Sequence, residues 1–189
     1  MIPLDQVVLL DDHGREIGTA PKASVHGSDT ALHLAFSCHI VDERGRVLVT
    51  RRALDKRTWP GVWTNSFCGH PRPAEPILHA VHRHADHELG ITLRDIELAL
   101  PLFHYRATDP NGVVEHEICP VYIARTDDDL RLNPLEAIDY HWVDPADLSI
   151  ALSAAPWAFS PWLVLQAQQL DLFTDVVASA AVPARRHAS

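Results

Sequence analysis

The segment that most limits the possible folds is a strand that runs through a glycine into a helix. "VWTNSFCG" (Val62–Gly69) is rich in β-forming residues, and a loop with three prolines follows it. Apolar residues then recur at Ile77, Leu78, Val81, Ala85 and Leu89, close to the helical period, until Gly90 ends the pattern. A strand feeding a helix in this way calls for an α/β arrangement, because the helix must bury its apolar stripe on a sheet.

Other segments fit the same plan. "QVVLL" (Gln6–Leu10) reads as a strand with "DDHGREIG" as the turn after it. "HLAFSCHIV" (His33–Val41) and "RVLVTRR" (Arg46–Arg52) flank "DERG" in the pattern of a β-hairpin. Residues Ile96–Arg106 and Val113–Arg125 read as two further strands around the turn "TDPNG", and "YHWV" as a last short one. Asp144–Pro145 and Ser160–Pro161 have the form of helix starts, an N-cap followed by proline at the first helical position. The expected fold is α/β (α+β), one domain with a mixed β-sheet and helices on its faces. With 189 residues the chain is long enough for one such core and too short for two ordinary ones.

Charge narrows the function. The formal net charge is −9, which disfavours a general binder of nucleic acid or anionic membrane, so an anionic ligand needs a local group of cations or metal ions. The apolar runs fall well short of the ~20 residues of a membrane helix. The start lacks the pattern of a signal peptide. The three cysteines, Cys38, Cys68 and Cys119, form no CxxC pair, so a reduced, cytoplasmic protein is expected. The tail "ASAAVPARRHAS" is small, polar and basic, the composition of a partly disordered segment.

Several residue types could carry chemistry. Cys68 lies two residues before His70, where a thiol can be core packing, a metal ligand, a nucleophile or a proton donor. In "EHE", strand alternation sends Glu115 and Glu117 to one face, and two such carboxylates need a cation between them. The chain has 13 histidines; His79, His82 and His87 look like the polar face of the helix. Cys38 and Cys119 fit burial, Trp157 and Trp142 core packing, and Arg44, Arg46 and Arg57 ordinary surface charge.

Gly69, Glu75, Arg83, Glu88, Gly90 and Ile91 keep the spacing of the Nudix box, a loop–helix–loop that presents carboxylates to a metal-bound diphosphate. His84 and His87 stand where two of the box's glutamates belong, so hydrolysis is disfavoured. Together with "VLVTRRALDKRTWPGVWTNSFCGHP", "HYRATDPNGVVEHEICPVYIAR" and "APWAFSPWLVLQA", the chain resembles the type 1 isopentenyl-diphosphate isomerases over roughly residues 5–170.

That resemblance implies a Nudix-type α/β/α sandwich. It implies an N-terminal segment (1–30) closing over the site, a catalytic domain (31–172) and a C-terminal tail (173–189). The implied reaction interconverts isopentenyl and dimethylallyl diphosphate by proton transfer. Cys68 matches the family's thiol acid/base on one side of the substrate, Glu117 and Tyr105 the pair on the other, and Trp162 the aromatic facing the carbocation. His26, His33, His70, Glu115 and Glu117 match a site for Mn²⁺ or Zn²⁺. Glu88, with the Cys68 carbonyl, matches the ligands of the Mg²⁺ that binds with the diphosphate, and Lys22, Arg52 and Lys56 match diphosphate contacts. His84 replaces an arginine usual in the family, which implies weaker substrate affinity that rises as the imidazole protonates. A monomer or weak homodimer is implied. The alternatives are a diphosphate hydrolase and a non-catalytic diphosphate-binding paralogue.

Overall fold

In the computed structural model the described residues are 5–173. They form three small sheets instead of one. The first has five strands in the order β2-β1-β3-β10-β9: β1 is Gln6–Leu10, β2 Glu16–Pro21, β3 His33–Leu34, β9 His104–Thr108 and β10 Val114–Ile118. The second, β7-β4-β11-β8, combines β4 (Phe36–Ile40), β7 (Phe67–Gly69), β8 (Arg94–Leu100) and β11 (Val121–Arg125). The third, β12-β5-β6, combines β5 (Val47–Arg52), β6 (Trp63–Thr64) and β12 (Ala137–Val143). Pairing is mixed, with parallel β3–β10 and β4–β11 and antiparallel neighbours elsewhere.

Four segments that read as continuous strands or a hairpin are broken by transfer between sheets. The 113–125 run breaks at Cys119–Pro120, where proline has no N–H to give a ladder. The 96–106 run breaks at Pro101 for the same reason. The 62–69 strand breaks at Asn65–Ser66, whose side chains bond the backbone in place of a neighbouring strand: Asn65 donates to the Cys38 and Phe67 carbonyls and Ser66 to that of Leu48. The predicted hairpin keeps its turn, with Gly45 N–H bonded to Asp42 and one bridge from Val41 to Val47. Beyond it β4 and β5 diverge into different sheets. Every residue of β4 is buried, so both its faces need cover, which a two-stranded ribbon does not supply.

Among the described residues the sheets are joined by helices α1 (Lys22–Val25), α2 (Ile77–Leu89), α3 (Pro145–Ala154) and α4 (Pro161–Ala167). Helix α2 buries Ala80, His84 and Glu88 along one row and Val81, Ala85 and Leu89 along the next, the i, i+4 neighbours of a helical surface. Gly90 closes it in the left-handed conformation (φ 64°), and its N–H reaches the Ala85 and Asp86 carbonyls. Asp144 caps α3 through the Ala146 N–H as the sequence predicts. Ser160 does not cap α4; its hydroxyl pairs with Thr64 Oγ1 at 2.8 Å. Trp142 packs on the core, whereas Trp157, expected there, is 82% exposed in the middle of a 3₁₀ turn. No helix among the described residues is long and apolar enough to cross a membrane. Apart from the buried Phe173, the predicted tail lies outside the described residues.

Candidate active site

Strand register assembles the centre. Glu117 on β10 lies opposite His33 on β3 and opposite Tyr105 on β9, so three chemically active side chains meet across one sheet. Tyr105 donates its hydroxyl proton to Glu117 Oε2 (2.9 Å). The other oxygen, Oε1, lies 3.0 Å from His70 Nε2 and 3.5 Å from His33 Nε2. His26, at the end of α1, brings its Nε2 to 2.9 Å from Glu115 Oε2. All six residues are largely buried.

The ligand atoms of His26, His33, His70 and Glu117 lie within 4.8 Å of one another. Glu115 joins the group through His26. Buried His26 Nε2 and Glu115 Oε2 have no hydrogen-bond partner although they lie 2.9 Å apart. Orphaned polar atoms that converge at such depth fit a metal ion, which satisfies several lone pairs at once. His33 Nδ1 lies 2.9 Å from the Ala31 carbonyl; donating there leaves Nε2 free to ligate. Burial lowers the His70 pKa to about 4, despite the opposing effect of Glu117, which keeps its imidazole neutral. The group could therefore hold a divalent metal.

Cys68 on β7 lies beside Ser37 of β4 and borders a cavity of about 500 Å³. Glu88, Tyr105, Glu115, Glu117 and Trp162 line the same cavity. Burial pushes the Cys68 thiol up to about 12, Arg52 opposing, so at neutral pH it holds its proton. Burial and Glu117 raise Tyr105 well above its ordinary value. Burial raises the Glu117 carboxyl, but His33 and His70 outweigh it and hold Glu117 ionised. A protonated thiol and an ionised carboxylate thus line one cavity.

Four cations lie along the cavity. Lys22, Arg52, Lys56 and Arg57 all line it. Lys56 pairs with Glu136, and Lys22 lies 3.6 Å from Asp5. Arg52 donates to the Thr58 and Trp59 carbonyls, and its guanidinium carbon lies 5.2 Å from the Trp162 ring centroid. The box helix supplies the rest. Arg83 grips Glu75 with two bonds (2.9 and 2.7 Å) and donates to the His70 carbonyl, tying the 70–75 loop to α2. His84 lies over Gly69 with Nδ1 2.7 Å from Glu88 Oε1. Its Nδ1 is thus engaged by that carboxylate.

The NUDIX domain family matches residues 31–163. A protein of Agromyces mediolanus named isopentenyl-diphosphate Delta-isomerase is 68% identical over 164 residues, 87% of this chain and 80% of that one. A protein of the same name from Clavibacter michiganensis is 59% identical over 186 residues, covering 94% and 96%. The chain belongs to the isopentenyl-diphosphate Delta-isomerase family. Among solved structures, a Deinococcus radiodurans protein superposes with TM-score 0.61 at 19% identity (79% of this chain, 89% of that one). A MutT protein of Methanosarcina mazei superposes at 0.57 and 21% (80% and 96%). These two similarities support the fold alone.

Within this family frame, the residues singled out in the sequence border one cavity or the histidine cluster beside it. Three contributors were not legible in advance. Thr58 donates to Glu115 Oε1 (2.7 Å) while its carbonyl receives Arg52, joining the metal-ligand group to the cation group. Arg57, read as surface charge, lines the cavity and donates to the Ala23 carbonyl. Asn65 accepts the Trp162 indole N–H (2.9 Å). Each acts through contacts between segments distant in sequence; only the position of Asn65 inside "WTNSFCGHP" hinted at a role.

Proposed function

We propose that this isomerase interconverts isopentenyl and dimethylallyl diphosphate, with the alkene held between Cys68 and the Tyr105–Glu117 pair. The observation that carries the reading is the pairing of a thiol that keeps its proton with an ionised, hydrogen-bonded carboxylate on one cavity. Such a pair is what a 1,3-proton shift requires. One side delivers a proton to a terminal alkene carbon, forming a C–H bond and a tertiary carbocation. The other side takes a proton from the adjacent carbon, and the electrons of that C–H bond become the new double bond. One protein group loses a proton and the other gains one, and the roles exchange in the reverse direction. The Trp162 ring stabilises the positive charge with its π face, and enclosure keeps water from capturing the cation.

His26, His33, His70, Glu115 and Glu117 would hold Mn²⁺ or Zn²⁺, ions suited to mixed nitrogen and oxygen ligands. Such an ion neutralises two adjacent carboxylates and fixes the orientation of Glu117. Glu88 and the Cys68 carbonyl would hold a Mg²⁺ that arrives with the diphosphate. Lys22, Arg52 and Lys56 bind the diphosphate, with Lys56 leaving Glu136 to do so. The N-terminal segment up to residue 30 serves as cover over the site; Lys22, Ala23 and His26 already line the cavity.

Incubation of the protein with isopentenyl diphosphate and Mg²⁺, with separation of the products, tests the reading. Accumulation of dimethylallyl diphosphate with no phosphate release is the expected result. Release of phosphate would replace it with the hydrolase reading, and binding without turnover with that of a non-catalytic paralogue.

A further inference from the structure

Asn65 is the most completely bonded side chain beside the cavity, and its bonds end on the indole of Trp162. It has no solvent exposure. Its Oδ1 accepts from Trp162 Nε1 (2.9 Å) and from Thr64 Oγ1 (2.9 Å), and its Nδ2 donates to the carbonyls of Cys38 (3.1 Å) and Phe67 (2.6 Å). This pattern fixes the orientation of the amide. A flip would face its NH₂ with the indole donor and its oxygen with two carbonyl acceptors. Two more bonds lock the start of α4 to the same segment: Ser160 Oγ to Thr64 Oγ1 (2.8 Å) and Ser160 N–H to the Trp63 carbonyl (2.8 Å).

Resting on the proposed isomerase reaction, we infer that Asn65 is a positioning residue that holds and polarises the Trp162 ring for the carbocation. Two consequences follow from the geometry. The indole cannot rotate without breaking a buried hydrogen bond, so the ring keeps one orientation beside the cavity that it lines. A hydrogen bond accepted from the indole N–H also draws the proton outward and leaves more electron density in the ring, strengthening the π face against a cation. Asn65 lies three residues before Cys68 on one segment. The break between β6 and β7 therefore locates the indole and the thiol together.

The test compares the binding of two diphosphates of the same shape, one with a positively charged ammonium nitrogen at the branch carbon and one with a neutral carbon there. Calorimetry on the wild type, Asn65→Ala and Trp162→Phe gives the cation preference of each. In a fourth protein the Trp162 indole is replaced by a benzothiophene, which keeps the bicyclic ring and has sulfur in place of the N–H. This variant leaves Asn65 intact and keeps the test usable if Asn65→Ala does not fold.

The wild type should prefer the ammonium ligand. Asn65→Ala and the benzothiophene variant should lose about three- to tenfold of that preference, the effect of one hydrogen bond. Affinity for the neutral ligand and KM should stay near wild type while kcat falls. Adding Asn65→Ala to Trp162→Phe should cause no further loss of preference. A benzothiophene variant with full preference, or a loss equal for both ligands, would overturn the role given to Asn65. A wild type that binds both ligands equally would overturn the isomerase reading itself and the inference with it.

Discussion

Gly69 shows how closely single residues are fitted in this site. A Cβ at this position would lie 2.4–2.6 Å from the ring of His84, inside any real contact distance, so the glycine is required by close approach. Gly69→Ala should push His84 off Gly69 and disturb its bond to Glu88. We expect a loss of about 1–3 kcal/mol in stability, the usual cost of overpacking, together with weaker Mg²⁺-dependent turnover. Denaturant titration and a Mg²⁺ dependence of rate measure both; an unchanged midpoint would mean that the helix yields freely. His39 makes a second prediction. It is fully buried with Nε2 2.9 Å from Gln166 Oε1, and burial lowers its pKa to about 4 although that bond opposes the shift. Above the ordinary value of 6.5 neither the folded nor the unfolded chain is protonated there, so His39 gives no pH dependence. Between 6.5 and 4 the unfolded chain takes up a proton that the folded one refuses, and stability falls as pH falls, by on the order of 3 kcal/mol in total. Unfolding titrations should show His39→Gln with a shallower acid slope than wild type over that interval; equal slopes would exclude the effect.

At the scale of elements, the loop–helix unit that carries the box is braced by one ion pair. Arg83 on α2 holds Glu75 in the preceding loop and reaches the His70 carbonyl, so the position of a histidine of the buried cluster depends on a bond made thirteen residues away. Arg83 is the main cause that lowers the Glu75 carboxyl to about 2. The folded pKa is depressed, so this contribution is complete above the ordinary value of 4.5 and is lost as pH falls from there toward 2. A double-mutant cycle with Glu75→Gln and Arg83→Met should show strong coupling at pH 7 that fades below pH 4. Coupling that does not change with pH would assign the brace to packing instead of charge. The elements also show what could be read from the sequence. Helix α2, its stop at Gly90 and the Asp144 cap follow from period and end chemistry. The transfers between sheets at Asn65–Ser66, Pro101 and Cys119–Pro120 did not, because a strand that changes sheets keeps its apolar pattern on both sides of the break. The prolines marked two of the breaks, yet only the third dimension shows that they redirect the chain.

For the whole molecule, three sheets meet so that an acidic chain gathers cations, carboxylates and histidines around one cavity. The gathering of His26, His33, His70 and Glu117 was legible because motif residues carry their chemistry with them. Their connection through Thr58, Asn65 and Glu136 was not, because hydrogen bonds between segments distant in sequence leave no periodic trace. The account's central claim is that protons enter and leave the substrate across this cavity, with Cys68 on one side. The measurement that tests it most directly is NMR of isopentenyl diphosphate incubated with the protein and Mg²⁺ in D₂O, with Cys68→Ala in parallel. The account predicts deuterium in the dimethylallyl diphosphate formed and a rate at least about a hundredfold lower in the variant, the usual loss on removing an acid/base. Dimethylallyl diphosphate formed at the wild-type rate by Cys68→Ala, or substrate returned without deuterium or isomerisation, would contradict it.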